Sequence, residues 1–121
     1  MTREKLRGDW GEALIADYLR KRNYTIVASQ FRCRRGEIDL IVQKENMLCF
    51  VEVKTRAEGE LALPREYVGF KKQQRIKAAA REYIGRYEID LPVRFDVAEV
   101  YVGDRLEEKY ARIEYLEAAF E

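Results

Sequence analysis

Two short apolar segments of this chain carry charge where buried strands rarely do. Asp39 interrupts Ile38-Asp39-Leu40-Ile41-Val42, and Glu52 and Lys54 interrupt Phe50-Val51-Glu52-Val53-Lys54. With Glu45-Asn46 as a two-residue hairpin turn, residues whose numbers sum to 91 face one another, and Asp39 stands opposite Glu52. Side chains alternate along a strand, so Lys54 joins them on one face. Directly opposed carboxylates repel unless a cation lies between them, and the pattern is that of a divalent-metal site with a lysine beside it. The competing explanation is a cross-strand ion-pair network, with Glu37 facing Lys54 in the same register. The residues by themselves leave the two evenly balanced.

Glu-x-Lys is weak information on its own. With 16 glutamates and 8 lysines, chance supplies roughly one such tripeptide, and Glu107-Glu108-Lys109 is a decoy in a polar stretch. The apolar setting of Glu52-Val53-Lys54 and its Asp39 partner separate it from the decoy, because burying a lone carboxylate costs several kcal/mol. The chain has no histidine, which excludes Ser-His-Asp and Cys-His nucleophiles and imidazole-ligated zinc. Chemistry here must rest on carboxylates, lysine, tyrosine or a hard metal ion.

The elements that must position these groups are legible in outline. Residues 8–22 set Trp10, Ala13, Leu14, Asp17 and Tyr18 near one face, with cations at the end, which predicts an amphipathic helix stopped at Asn23. Strands follow at 24–31, 37–43 and 47–55. A polar loop over 56–64 ends at Leu63-Pro64-Arg65. A second helix over 68–86 buries Phe70, Ile76, Ala79, Ala80, Tyr83 and Ile84. Its early cluster Lys71, Lys72, Arg75, Lys77 opposes the helix dipole, a conflict that points to an external role. Residues 93–102 alternate as a strand closed by Gly103-Asp104, and 109–121 read either as a strand with a helical turn after it or as one helix. The order α-β-β-β-α-β predicts a mixed-sheet α/β fold.

Length and charge bound the partners. At 121 residues, 1–121 fits a single domain, and 47% hydrophobic with 37% charged residues describes a globular protein with a densely charged surface. No apolar run approaches a membrane span, and the start MTREKLRGDW lacks a signal-peptide core. Cys33 and Cys49 do not face each other in the hairpin register and lack metal-ligand spacing, so reduced thiols in a cytoplasm are expected. The net charge of +1 conceals a basic first eighty residues and an acidic remainder, a hint of a polyanion-binding face.

Several motifs together resemble a known family. Gly36-Glu37-Ile38-Asp39-Leu40-Ile41 and Phe50-Val51-Glu52-Val53-Lys54-Thr55-Arg56 resemble the PD-(D/E)XK, restriction-endonuclease-like superfamily. Gly8-x-x-Gly11-Glu12, Arg32-Cys33-Arg34-Arg35, Lys72-Gln73-Gln74-Arg75, Arg94-Phe95-Asp96-Val97 and Ala119-Phe120 complete the set. Spread in order over nearly the whole chain, they resemble the YraN-like uncharacterised bacterial family, whose domain is similar to archaeal Holliday junction resolvases. No proline precedes Asp39, a departure that superfamily members often share.

The resemblance implies a restriction-endonuclease-like core and a metal-dependent nuclease acting on DNA, with junction-like structure specificity. Asp39, Glu52 and the Val53 carbonyl would hold Mg²⁺ or Mn²⁺, Lys54 would orient the attacking water, and Glu12 matches the helix glutamate that completes a resolvase site. Arg3, Lys5, Arg7, Arg32, Arg34, Arg35, Lys71, Lys72, Arg75 and Gln73 are candidates for phosphate or substrate contacts without sequence readout. Resolvase-like domains act as homodimers, although no dimer seam is legible here. The alternatives are a nucleic-acid-binding module of the same fold without cleavage, and a protein-interaction domain docking through its acidic C-terminal portion.

Overall fold

The computed structural model describes residues 2–57 and 68–121. Helix α1 (Arg3–Arg20) starts one and a half turns before the predicted boundary because the Thr2 hydroxyl accepts the Lys5 N–H at 3.1 Å. Gly11, Leu14, Ile15, Ala16 and Leu19 are its buried stripe, so Ala13 and Asp17 are not core residues. The helix ends at Arg20, three residues before the expected stop at Asn23, whose left-handed φ of 70° lets the Tyr24 N–H reach back to the Leu19 carbonyl at 3.0 Å. Strands β1 (Thr25–Cys33), β2 (Gly36–Lys44) and β3 (Met47–Ala57) form an antiparallel meander. Helix α2 (Phe70–Arg86) then leads to β4 (Val93–Val102), which pairs parallel to β3, and β5 (Arg112–Phe120) adds antiparallel to β4.

The result is a mixed α/β fold, one sheet of order β1-β2-β3-β4-β5 with α1 on one face and α2 on the other. Leu40, Val42, Val51 and Val53 pack toward α1, and Ile41, Leu48, Phe50 and Val97 pack toward α2. Both faces of the central strands are covered, which explains their continuous apolar sequences. Three expectations change. Phe70 is 75% exposed at the first turn of α2 rather than buried. The tail is a short 3-10 turn (Glu108–Tyr110) that precedes the last strand rather than following it. Arg56 and Ala57 extend β3, and the remainder of the predicted polar loop lies outside the described residues.

The sheet forks where the site lies. The β2–β3 ladder follows the predicted register from Lys44↔Met47 to Leu40↔Val51 and ends there. Beyond that point β2 continues only with β1, to Cys33↔Gly36, while β3 continues only with β4, to Ala57↔Val102. Asp39 and Glu52 are the residues immediately past the last rung.

Candidate metal centre and adjoining basic groove

At the fork Asp39 substitutes its side chain for the missing ladder bond: Oδ2 accepts the Val53 N–H at 2.8 Å. This bond fixes the carboxylate against β3. Glu52 is 6% exposed, and its carboxyl lies close enough to that of Asp39 for the two to act on each other's ionisation. The sequence register therefore brought the two together as expected. Glu37 does not face Lys54; it pairs with Arg32 on the neighbouring strand, Nε to Oε2 at 3.2 Å. Lys54 Nζ lies 3.9 Å from Glu52 Oε1, and Lys72 Nζ reaches the same oxygen at 3.6 Å from α2.

The electrostatics follow from burial. Desolvation first, then the facing Asp39 charge, push the Glu52 carboxyl up to about 8, with Lys72 and Lys54 pulling the other way. Burial likewise raises Asp39, opposed by the Val53 N–H. Two acids this close in a low-dielectric site resist ionising together when no cation lies between them. Glu12 approaches from α1, which packs so closely on β3 that a Cβ on Gly11 would fall 1.9 Å from Thr55 Oγ1. Burial and the Asp39 charge raise the Glu12 carboxyl to about 7.

The donor set fits a hard divalent ion of the Mg²⁺ type. Two oxygen ligands meet at a half-open fork, and such an ion keeps several waters and needs only one or two carboxylates. Among the described residues no three acidic or sulfur side chains gather closely enough to cage an ion. Glu12 therefore stands nearby rather than in the pair. The thiols do not contribute: Cys33 and Cys49 are free, and burial pushes the Cys49 thiol up to about 11.

Beside the pair runs a groove of about 430 Å³ lined by Arg32, Arg34, Arg35, Lys72 and Arg75 against the single acid Glu37. Arg34 and Arg35 occupy the β1–β2 turn. Gly36 holds that turn under α2, since a Cβ there would meet the Arg75 carbonyl oxygen at 2.3 Å. Lys72 borders both the groove and the carboxylate pair. Lys71 is exposed on the same helical turn. Gln73 is turned inward, its Nε2 donating to the Val68 carbonyl at 2.8 Å. Arg7 is not brought here; it lines a separate hollow with Arg3, Leu6 and Leu106.

Sequence reasoning missed Gln30. Its neighbours pair as Ser29↔Leu40 and Phe31↔Ile38, which puts Gln30 beside Asp39 across β1 and β2. Its left-handed φ of 53° and its bond to Glu12 carry no sequence signal.

Comparison with known proteins places the chain. Residues 11–100 match the model of "Uncharacterised protein family UPF0102". A "UPF0102 protein" of Alkaliphilus metalliredigens is 41% identical over 117 residues, 96% of this chain and 98% of that protein. One from Acetivibrio thermocellus is 43% identical over 88% of this chain and 85% of its own length. One from Flavobacterium psychrophilum is 39% identical over 93% and 92%. The chain belongs to the UPF0102 family, as the YraN-like motifs implied.

Proposed function

We propose that this UPF0102 protein is a Mg²⁺- or Mn²⁺-dependent nuclease of restriction-endonuclease-like type, acting on DNA phosphodiester bonds with a preference for branched structure. The observation that carries the reading is the buried contact of Asp39 and Glu52 at the fork of the sheet, next to Lys54 and a cationic groove. A pure binder has no use for acids beside phosphate, because without a bound cation they repel it.

Asp39 and Glu52, with the Val53 carbonyl, are the residues that would hold the ion. When bound, such an ion polarises a phosphoryl oxygen and makes its water a stronger nucleophile. Lys54, held within 3.9 Å of Glu52, orients the attacking water and offsets charge that builds on the phosphate. Glu12, close to protonation balance at neutral pH, is placed to exchange a proton with water at the fork. Lys72, Arg34, Arg35 and Arg75 bind the backbone without reading bases.

A second reading, a binder that does not cleave, draws on the pairing of Glu52 with two lysines and on the absence of a third ligand among the described residues. Nuclease assays on branched, flapped and linear DNA with Mg²⁺ and with Mn²⁺ decide between them. Cleavage is expected in the wild type and lost in Asp39→Asn, Glu52→Gln and Lys54→Ala, whereas Lys109→Ala at the decoy tripeptide leaves the rate unchanged. Binding without cleavage of any tested DNA or RNA selects the second reading, and activity that survives all three site changes belongs to a contaminant.

A further inference from the structure

A chain of hydrogen bonds joins the basic groove to the carboxylates. Arg32, in the groove wall, donates Nη2 to Gln30 Oε1 at 2.9 Å and Nε to Glu37 at 3.2 Å. Gln30 Nε2 in turn donates to Glu12 Oε1, and Glu12 faces the charge of Asp39. The amide has one workable orientation. Its oxygen meets the guanidinium and its nitrogen meets the carboxylate; turned over, both contacts become repulsive. Gln30 reaches between the two because its backbone adopts φ 53° beside Asp39, a conformation that side-chain-bearing residues take only at a cost. A regular strand residue at this position would follow the pleat instead.

We propose that the groove is a subsite for a non-scissile backbone phosphate of the bound strand, and that Gln30 is the positioning residue that couples its occupancy to Glu12. This rests on the nuclease reading of the Asp39–Glu52 pair. Arg32 spends its Nε and one Nη2 hydrogen on Glu37 and Gln30, and its Nη1 edge is the one left to meet a phosphate. A phosphate seated on that edge holds the guanidinium in place and, through the Gln30 amide, holds Glu12 toward the fork where the ion sits. Metal and nucleic acid then each bind more tightly in the presence of the other, by the same factor. The substrate class this selects is a strand whose backbone continues past the scissile bond into the groove, rather than one ending at it.

The test measures this coupling without cleavage. Binding of a short fluorescein-labelled single-stranded DNA is followed by anisotropy in Ca²⁺ and in EDTA, with the full chain, in the wild type, Gln30→Gly and Arg32→Lys. Glycine suits the left-handed backbone and deletes only the side chain, so folding is not at risk. Arg32→Lys keeps the charge and loses the planar fork. Ca²⁺ is expected to tighten wild-type binding about fivefold or more, and to change it less than about twofold in both variants, with Arg32→Lys also binding more weakly in EDTA because it loses the fork that meets the phosphate. Wild-type coupling that persists unchanged in Gln30→Gly overturns the proposal and leaves the nuclease reading standing. So does an absence of coupling in a wild type that binds both Ca²⁺ and DNA. A wild type that binds neither overturns both.

Discussion

The raised carboxyls of Asp39 and Glu52 make stability depend on pH and, if the pair binds metal, on divalent ions in a defined direction. The Glu52 carboxyl has an ordinary value of 4.5 and is raised to about 8 in the fold. Between these values the native state holds a proton that the unfolded chain has released. The stability contributed by this group is therefore complete below about 4.5 and is lost as pH rises through 8. At ~1.4 kcal/mol per pH unit the separation sets a ceiling of about 5 kcal/mol, and an effective dielectric near ~20 together with rearrangement of Lys54 and Lys72 reduces it toward ~2 kcal/mol. Asp39, also raised by burial, acts with the same sign. If the pair is the proposed metal site, a divalent ion should reverse the loss, because it would bind the ionised pair and displace the proton. At a hundredfold excess over its dissociation constant it adds about 2.7 kcal/mol, or roughly 10 °C in Tm for a chain of this length. Thermal melts with EDTA, Mg²⁺ or Mn²⁺ across the range from about pH 5 to 8.5 measure both effects. Wild type should melt lower as pH rises in EDTA, and the ion-induced gain should grow with pH. Glu52→Gln should flatten the pH dependence, and Asp39→Asn should abolish the gain. An equal ion-induced shift in wild type and Asp39→Asn would falsify the reasoning, because the ion would then act elsewhere.

Other consequences are simpler to measure. Nucleic-acid affinity should fall steeply with salt, survive Glu52→Gln, and drop at least tenfold when Arg34 and Arg35 are both reversed to glutamate; insensitivity to salt and to the reversals would indicate a protein partner instead. Gly36→Ala should destabilise by about 1–3 kcal/mol in urea melts, because its methyl has no room against the Arg75 carbonyl; a neutral result would mean the turn does not lie under α2. Asp96→Ala should cost about 3 kcal/mol by depriving the partly buried Arg94 and Tyr115 of their shared acceptor, yet leave the ion-induced Tm shift unchanged; loss of that shift in a folded variant would show that Asp96 belongs to the metal site.

What could be read in the sequence followed from local geometry. The two-residue Glu45-Asn46 turn fixes the parity of the β2–β3 hairpin, so the facing of Asp39 and Glu52 came from counting alone. The boundaries of β4 were legible because apolar alternation runs to a Gly-Asp turn. The opening turns of α1 were not, since Arg3, Glu4, Lys5 and Leu6 are all exposed and present no buried period. In β5 the alternation fails because three residues, Glu117 to Ala119, bulge opposite Asp96, with Ala118 at φ 49°. The pairing of Lys72 with Glu52 depends on where α2 crosses β3, which no local pattern encodes. Gln30 was hidden for the same kind of reason: its left-handed backbone occurs at a residue that is not a turn former.

Burial alone does not single out the fork, because the chain buries other acids. Asp96 is fully buried, yet Arg94 binds it through two nitrogens at 2.8 and 2.9 Å, the Tyr115 hydroxyl donates at 2.5 Å and the Ala118 N–H at 2.9 Å. Its charge and its oxygens are satisfied within the protein, and its effect is to pin the β5 bulge. Glu99, equally buried, has Arg56 at 2.9 Å. Asp39 and Glu52 differ in kind: apart from the Val53 N–H on Asp39, each has the other carboxylate as a main neighbour, and both lysines stand at 3.6 Å or more from Glu52. Such an arrangement is costly in an empty site and becomes favourable when two positive charges arrive together with oxygen-seeking coordination. It is this difference in compensation, rather than burial or the Glu-x-Lys spacing, that assigns a structural role to Asp96 and supports a metal-binding role for the pair at the fork.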